Sequence, residues 1–389
     1  MTTAEVIRLE DEFTIPTYRK FSIALVRGKG AHVWDAEGNR YLDFYGGHCV
    51  TLLGHCPPRV VEAVRKQTSN LLFYSNVVYS DVRARAAALL GSLAPEGLGN
   101  IFFCNSGTEA IETALKIARK ATGRQGIVAM EGDFHGRTLG SLATTWNSTY
   151  RAPYAAVLPQ TRFVSFGNLE AAQRALEAHG DVAAIVLEPI QSIAGMTEAP
   201  ATYYQGLRKL CDATGTLLIF DEVQTGIGRT GTFSVAEQYS ITPDIITLAK
   251  SLGSGVPVGA TLMSDALAAD VQYGDQGSTF GGGMLAMAAV EATLQTIAGD
   301  GLMYRAKEIF DKIQAVTAPY VREIRGRGCL IGLNFGSPCA PVLTSLRKLG
   351  VLAGGSGDPH VMRLMPPLIT TDTHVERFGQ ALAEACTNN

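Results

Sequence analysis

The chain has 389 residues, 46% of them hydrophobic, and a formal net charge of −3. That length exceeds the roughly 100–200 residues of one domain, and the apolar share suffices for a large interior. With no run of five like charges and no basic stripe, nothing points to nucleic acid or a membrane surface as partner. Met1–Arg8 lacks the basic-then-apolar pattern of a secretory signal. No apolar run approaches the roughly 20 residues of a membrane helix, so a cytoplasmic protein is expected. The cysteines are Cys49, Cys56, Cys104, Cys211, Cys329, Cys339 and Cys386. None forms a CxxC pair, so neither a metal site nor a disulfide framework is expected.

In chain order, residues 1–50 read as an N-terminal arm with a hairpin, marked by Gly28, Gly30 and the Asp35–Gly38 turn. Residues 51–300 read as a large domain. Ile101–Cys104 is a short apolar run, after which Ala110, Ile111, Ala114, Leu115 and Ala118 recur at helical spacing, with Gly123 as the stop. Gly126–Met130, Ala183–Leu187, Thr216–Phe220 and Ile245–Leu248 read as strands buried on both faces, with helical stretches such as Tyr203–Ala213 between them. The rhythm predicts an α/β fold with a mostly parallel central sheet. Residues 301–389 read as a smaller α/β domain that packs with the arm. Its predicted elements are strands and turns over Val321–Phe335, a helix near Pro341–Leu349, a strand near Val361–Leu364 and a helix over His374–Ala385.

Four segments carry candidate chemistry. Asn105-Ser-Gly-Thr-Glu-Ala110 lies between a strand and a helix, where free N–H groups suit a phosphate; Gly107 allows close approach and the Thr108 hydroxyl adds a donor. An ordinary helix cap reads the same way. Asp221 ends an apolar strand, at the edge where open α/β sheets bind ligands. A carboxylate there needs a partner such as a protonated ring nitrogen, or it caps the turn. Lys250 follows the strand Ile245–Leu248 and is placed to form an imine with an aldehyde, or to lie along the surface. In Phe134-His-Gly-Arg-Thr138 the aromatic suits stacking on a planar ring and Arg137 a bidentate grip on a carboxylate. Taken singly, each is equally a core or surface residue.

Together with Leu42-Asp-Phe, Leu53-Gly-His55, Leu187-Glu-Pro-Ile-Gln191, Gly277-Ser-Thr-Phe-Gly-Gly282 and Arg363-Leu-Met-Pro-Pro367, these segments resemble the class III aminotransferases of fold type I. The resemblance runs from about Gly28 to Leu368 and is nearest the acetylornithine, ornithine and lysine-biosynthesis aminotransferases. It implies pyridoxal 5'-phosphate as cofactor, Lys250 as the Schiff-base lysine and proton shuttle, and Asp221 as partner of the ring nitrogen. It also implies cofactor contacts from Gly107, Thr108, Phe134, His135, Val223 and Gln224, with Thr279 reaching the phosphate of a neighbouring subunit. A homodimer with shared sites follows. Arg137 and Arg363 are expected to hold substrate carboxylates, and Tyr74 matches a substrate-pocket position. The expected reaction is ping-pong transfer from an acetylornithine-, ornithine- or acyl-lysine-like donor to 2-oxoglutarate.

Two positions depart from that pattern. Ile193 stands where the relatives carry a Glu that neutralises Arg363. His48 stands where they carry Ile or Tyr, and as a substrate contact it is expected to respond to pH near its reference value of about 6.5. The loss of the Glu keeps other reactions on the scaffold open: an aminomutase, a racemase or epimerase, or a 4-aminobutyrate-type aminotransferase. A pyridoxal-phosphate-binding regulator is a further alternative, although the chain has no added helix-turn-helix or basic patch.

Overall fold

The computed structural model describes residues 1–387. Its centre is a seven-stranded sheet in the order Asn100–Cys104, Gly259–Met263, Ile245–Leu248, Leu217–Asp221, Val182–Leu187, Gly126–Met130 and Thr161–Val164. Only Gly259–Met263 runs against its neighbours, pairing antiparallel on both sides. Residues alternate between the two faces with the period of a strand. Ile127, Ala129, Val186, Ile219 and Ile245 meet one apolar cluster, while Val128, Met130, Leu187, Leu218, Phe220 and Ile246 meet another. Burial on both faces explains why these strands read as continuous apolar runs.

The helix Gly107–Thr122 covers one face. Ile111, Ala114, Leu115 and Ala118 pack on that face, joining the same apolar cluster as Ile127, Ala129 and Ile219. Ser106 caps its start by accepting the Glu109 N–H at 3.3 Å, and Gly123 ends it in the left-handed region at φ 68°. Ala201–Thr214 ends the same way at Gly215, starting two residues before and ending one residue after the predicted Tyr203–Ala213.

The first strands, Leu25–Lys29, His32–Asp35 and Arg40–Asp43, form an antiparallel meander. Val351–Leu352, from far along the chain, pairs parallel with Arg40–Asp43 and completes a four-stranded sheet. A separate antiparallel sheet orders Glu323–Arg327, Leu330–Asn334 and Val361–Leu364. The final helix is Asp372–Thr387; residues 388 and 389 of the predicted tail lie outside the described residues. Among the described residues, no helix is long and apolar enough to cross a membrane.

Candidate active site

Five strands deliver their C-terminal ends to one edge of the sheet. After Asn100–Cys104 come Ser106, Gly107 and Thr108; after Gly126–Met130, Phe134 and His135; after Val182–Leu187, Glu188; at the end of Leu217–Asp221, Asp221; and after Ile245–Leu248, Lys250. With Arg137, Val223, Gln224 and Val258 they line one cavity of about 420 Å³. This is the strand edge at which α/β sheets bind ligands.

The cavity is kept open by missing side chains. A Cβ on Gly107 would come to 3.0 Å from Val223 Cγ2, and one on Gly136 would come to 2.2 Å from Thr108 Oγ1. The first turn of Gly107–Thr122 lines the space, and the Gly107 and Thr108 N–H groups have no acceptor among the described residues, as expected at a helix start. The Thr108 hydroxyl, on the same cavity, lies 2.8 Å from Thr138 Oγ1 and 2.5 Å from Ser141 Oγ, both on the segment that follows Phe134.

Asp221 is 5% exposed. Its Oδ1 accepts the Val223 N–H at 3.1 Å, and its Oδ2 lies 2.7 Å from His135 Nδ1. Lys250 sits in the left-handed region, φ 44°, and its amine has no polar partner among the described residues. Burial pushes Glu188 up to about 8, reinforced by the negative charges of Asp133 and Asp221. Glu188 accepts the Phe134 N–H at 2.7 Å, which fixes the backbone of the aromatic wall.

Arg363 is 5% exposed and no carboxylate pairs with it among the described residues. Its fork is held by neutral oxygens: the Gly355 carbonyl at 2.6 Å, Ser192 Oγ at 3.2 Å and Tyr45 Oη at 3.4 Å. Ser192 in turn donates to Gln224 Oε1 at 3.0 Å, which ties the arginine to the cavity wall. Ile193 turns to a neighbouring cavity with Phe134 and Tyr150, and its carbonyl accepts the Gly357 N–H at 2.7 Å. Sequence reasoning singled out neither Ser192 nor Tyr45, because nothing local links either to Arg363.

His48 lies in a run of left-handed residues, Gly46 to Cys49, with φ between 55° and 67°. Such a turn is costly for residues other than glycine, and Asp43 pins it. The Asp43 carboxylate accepts the Tyr45, Gly46 and Gly47 N–H groups at 2.9–3.0 Å and bonds His55 Nε2 at 2.8 Å. Tyr45 Oη is hydrogen-bonded to His48 Nδ1. Desolvation first, then the Arg363 and Lys250 cations, push His48 down to about 4. Any pH response of this ring is therefore displaced below the reference value of about 6.5.

Arg137 is exposed, with its guanidinium 3.5 Å from the Tyr150 ring centroid and 5.5 Å from that of Phe134. Tyr150 therefore orients it. Tyr150→Ala should raise KM for a carboxylate substrate about fivefold, the worth of one cation–π contact of ~1 kcal/mol, while Tyr150→Phe keeps KM. Equal KM values in both variants, measured by steady-state kinetics, would show that the stack does not matter.

Two expected residues lie elsewhere in the single chain. Tyr74 is half exposed and lines a second cavity of about 750 Å³ beside Leu71, Arg85 and Glu291. Thr279 is exposed in a loop that Asn76 holds through the Ser278 and Gly281 carbonyls at 3.2 and 2.9 Å. Neither lines the cavity around Lys250, because both stand on an outward-facing surface.

The family model described as Aminotransferase class-III matches residues 14–386. The acetylornithine aminotransferase of Methanopyrus kandleri is 43% identical over 383 residues, covering 97% of each chain. The [LysW]-aminoadipate semialdehyde/glutamate semialdehyde transaminase of Sulfolobus acidocaldarius is 36% identical, covering 95% of this chain and 96% of its own. Among solved structures, the ornithine aminotransferase of Toxoplasma gondii ME49 superposes with a TM-score of 0.93 at 28% identity, covering 100% of this chain and 96% of that one. The acetylornithine aminotransferase of Elizabethkingia anophelis does so with a TM-score of 0.88 at 26% identity, covering 100% of both.

Proposed function

Since the chain belongs to the class III aminotransferases, we propose that it moves the amino group of an acetylornithine-, ornithine- or acyl-lysine-like donor to 2-oxoglutarate, with pyridoxal 5'-phosphate held at Lys250. The observation that carries this reading is the unpartnered Lys250 amine sharing one cavity with the nearly buried Asp221 carboxylate. Asp221 shares the single His135 ring with a second carboxylate, Asp133, and a protonated ring nitrogen facing Asp221 would offset the negative charge that remains. The free N–H groups of Gly107 and Thr108 fit a phosphate. Phe134 and Val223 supply flat apolar walls, and Gln224, its Oε1 taken by Ser192, keeps an amide N–H₂ for a ring hydroxyl.

The cofactor, when bound, supplies an aldehyde for amines and a ring that withdraws electrons. The chain does the rest. Lys250 Nζ takes a proton from the substrate carbon and returns one. Asp221 keeps a negative charge facing the ring. Arg137 and Arg363 fix substrate carboxylates, and the walls exclude water. Donor and acceptor use the same space in turn, as ping-pong transfer requires.

The surface bearing Tyr74 and Thr279 supports a homodimer. Leu72, Val77, Tyr79 and Phe280 are all more than half exposed there, and a patch of this kind marks an interface. A panel of donors with 2-oxoglutarate, read by glutamate formation, tests the function. Glutamate from a donor with a terminal amine is expected. No glutamate with any donor, but inversion of a chiral amino acid, would replace transfer by racemisation.

The neutral surroundings of Arg363 bear on donor choice. Ile193 lines the neighbouring cavity, so in Ile193→Glu a carboxylate that swings past Ser192 would mask the arginine. The ratio of kcat/KM for ω- over α-amine donors should rise about tenfold, a modest share of what a close charge pair is worth. An unchanged ratio would show that position 193 does not gate.

A further inference from the structure

We propose that Asp133 is a positioning residue that acts through His135, fixing the ring in its doubly protonated form and so keeping Asp221 a full carboxylate toward the cavity. The inference rests on the role given to Asp221 above. His135 stands between two carboxylates. Its Nδ1 lies 2.7 Å from Asp221 Oδ2, and its Nε2 lies 3.3 Å from Asp133 Oδ2. The His135 and Asp133 side chains are fully buried. Asp133 Oδ2 and His135 Nε2 each lack a well-aligned hydrogen bond among the described residues, and they face each other at ion-pair distance. A buried polar atom is rarely left unsatisfied, and only a proton between these two satisfies both.

The surroundings decide which group owns that proton. Asp133 Oδ1 accepts the Gln191 amide at 2.9 Å, and Gln191 is itself anchored on the Glu131 carbonyl at 2.7 Å. Burial is the largest effect on Asp133 and pushes it up; the contact with His135 and the Gln191 donor on Oδ1 pull the other way, toward the carboxylate. The His135 backbone N–H is tied to Thr145 Oγ1 at 3.0 Å, which fixes the backbone that carries the ring, and Nδ1 is held by Asp221 Oδ2 at 2.7 Å. The titratable groups facing the ring are Asp133, Asp221 and Glu188. Burial opposes a charge on His135, but the hydrogen bonds to Asp133 and Asp221 outweigh it and hold the ring up at about 10. Burial and the same two carboxylates keep Glu188 neutral near pH 7. The set then carries one net negative charge, and it is the Asp221 carboxylate that lines the cavity. Without Asp133, His135 would keep one proton for Asp221 and lose the other. Asp221 would then be a buried carboxylate beside a neutral ring, and more readily protonated.

The test is a ring-nitrogen NMR titration of the full chain labelled at histidine, free of cofactor, so that its outcome does not depend on the cofactor assignment. In the unmodified chain His135 should be doubly protonated at pH 8. In Asp133→Asn, its proton affinity should fall by tenfold or more, and Asp133→Glu should restore it. A His135 ring that is singly protonated at pH 8 in the unmodified chain would overturn the proposal, whether or not the variants fold. So would a fall of less than tenfold in a folded Asp133→Asn chain.

Discussion

Lys250→Ala should lower amino transfer by about four orders of magnitude, the upper range for loss of one general acid–base group. The visible absorbance that a covalently attached pyridoxal cofactor gives should also disappear. Binding should be weakened rather than abolished, because the Gly107 and Thr108 N–H groups, Asp221 and the apolar walls remain. Folding should be little affected. The amine has no partner among the described residues, so its removal leaves no buried group unsatisfied, unlike most truncations at a strand end. The backbone makes a finer check possible. At φ 44° both Lys and Ala bear the steric cost of a Cβ in the left-handed region, about 1–2 kcal/mol, which glycine does not. Lys250→Gly should therefore unfold at the same or a higher temperature than Lys250→Ala while being equally inactive. Turnover within tenfold of the unmodified chain in either variant would remove Lys250 from the chemistry.

The parts of this site readable in the sequence were those announced by their own neighbours. Asp221 and Lys250 each follow an apolar run, and a run buried on both faces has to end at the ligand edge of the sheet. Gly107 stands between a strand and a helix whose period is plain in Ile111, Ala114, Leu115 and Ala118. The antiparallel strand Gly259–Met263 was not legible. Gly-Ala-Thr-Leu-Met is a weak strand pattern, and its buried Thr261 is satisfied by the distant Ala110 carbonyl at 2.9 Å. The turn at His48 and Cys49 was not legible either, since positive φ is uncommon for any residue but glycine, even for His, which adopts it more often than most. Tyr150, Ser192, Tyr45 and Asp133 gain their meaning only where separate loops converge. The Arg363–Ser192–Gln224 chain joins three segments, with 171 residues between the first two and 32 between the last two. The family resemblance supplied roles at positions matching a motif; it gave none to these.

Arg363→Met should lower kcat/KM for 2-oxoglutarate by about 10²–10³, since removing one side of a buried, hydrogen-bonded charge pair costs about 2–5 kcal/mol. The size of the effect follows from what Arg363 lacks. A cation 5% exposed is stable when a counter-charge offsets its desolvation, yet only the Gly355 carbonyl, Ser192 and Tyr45 hold this one. Its demand for an anion is unmet among the described residues, so a substrate carboxylate placed against it would gain more than at an exposed arginine. The structure of the fork matters as well as its charge. Its Nε is committed to Gly355 at 2.6 Å, which sets the plane of the guanidinium, and Arg363→Lys keeps a charge without that plane. The lysine variant should fall between the parent and Arg363→Met. Comparison with pyruvate, which has a single carboxylate, separates the two possible contacts. If Arg363 holds the distal carboxylate of the acceptor, the pyruvate rate is unchanged in Arg363→Met; if it holds the carboxylate beside the oxo group, both rates fall together. A loss under threefold for 2-oxoglutarate would mean that the acceptor never meets this arginine.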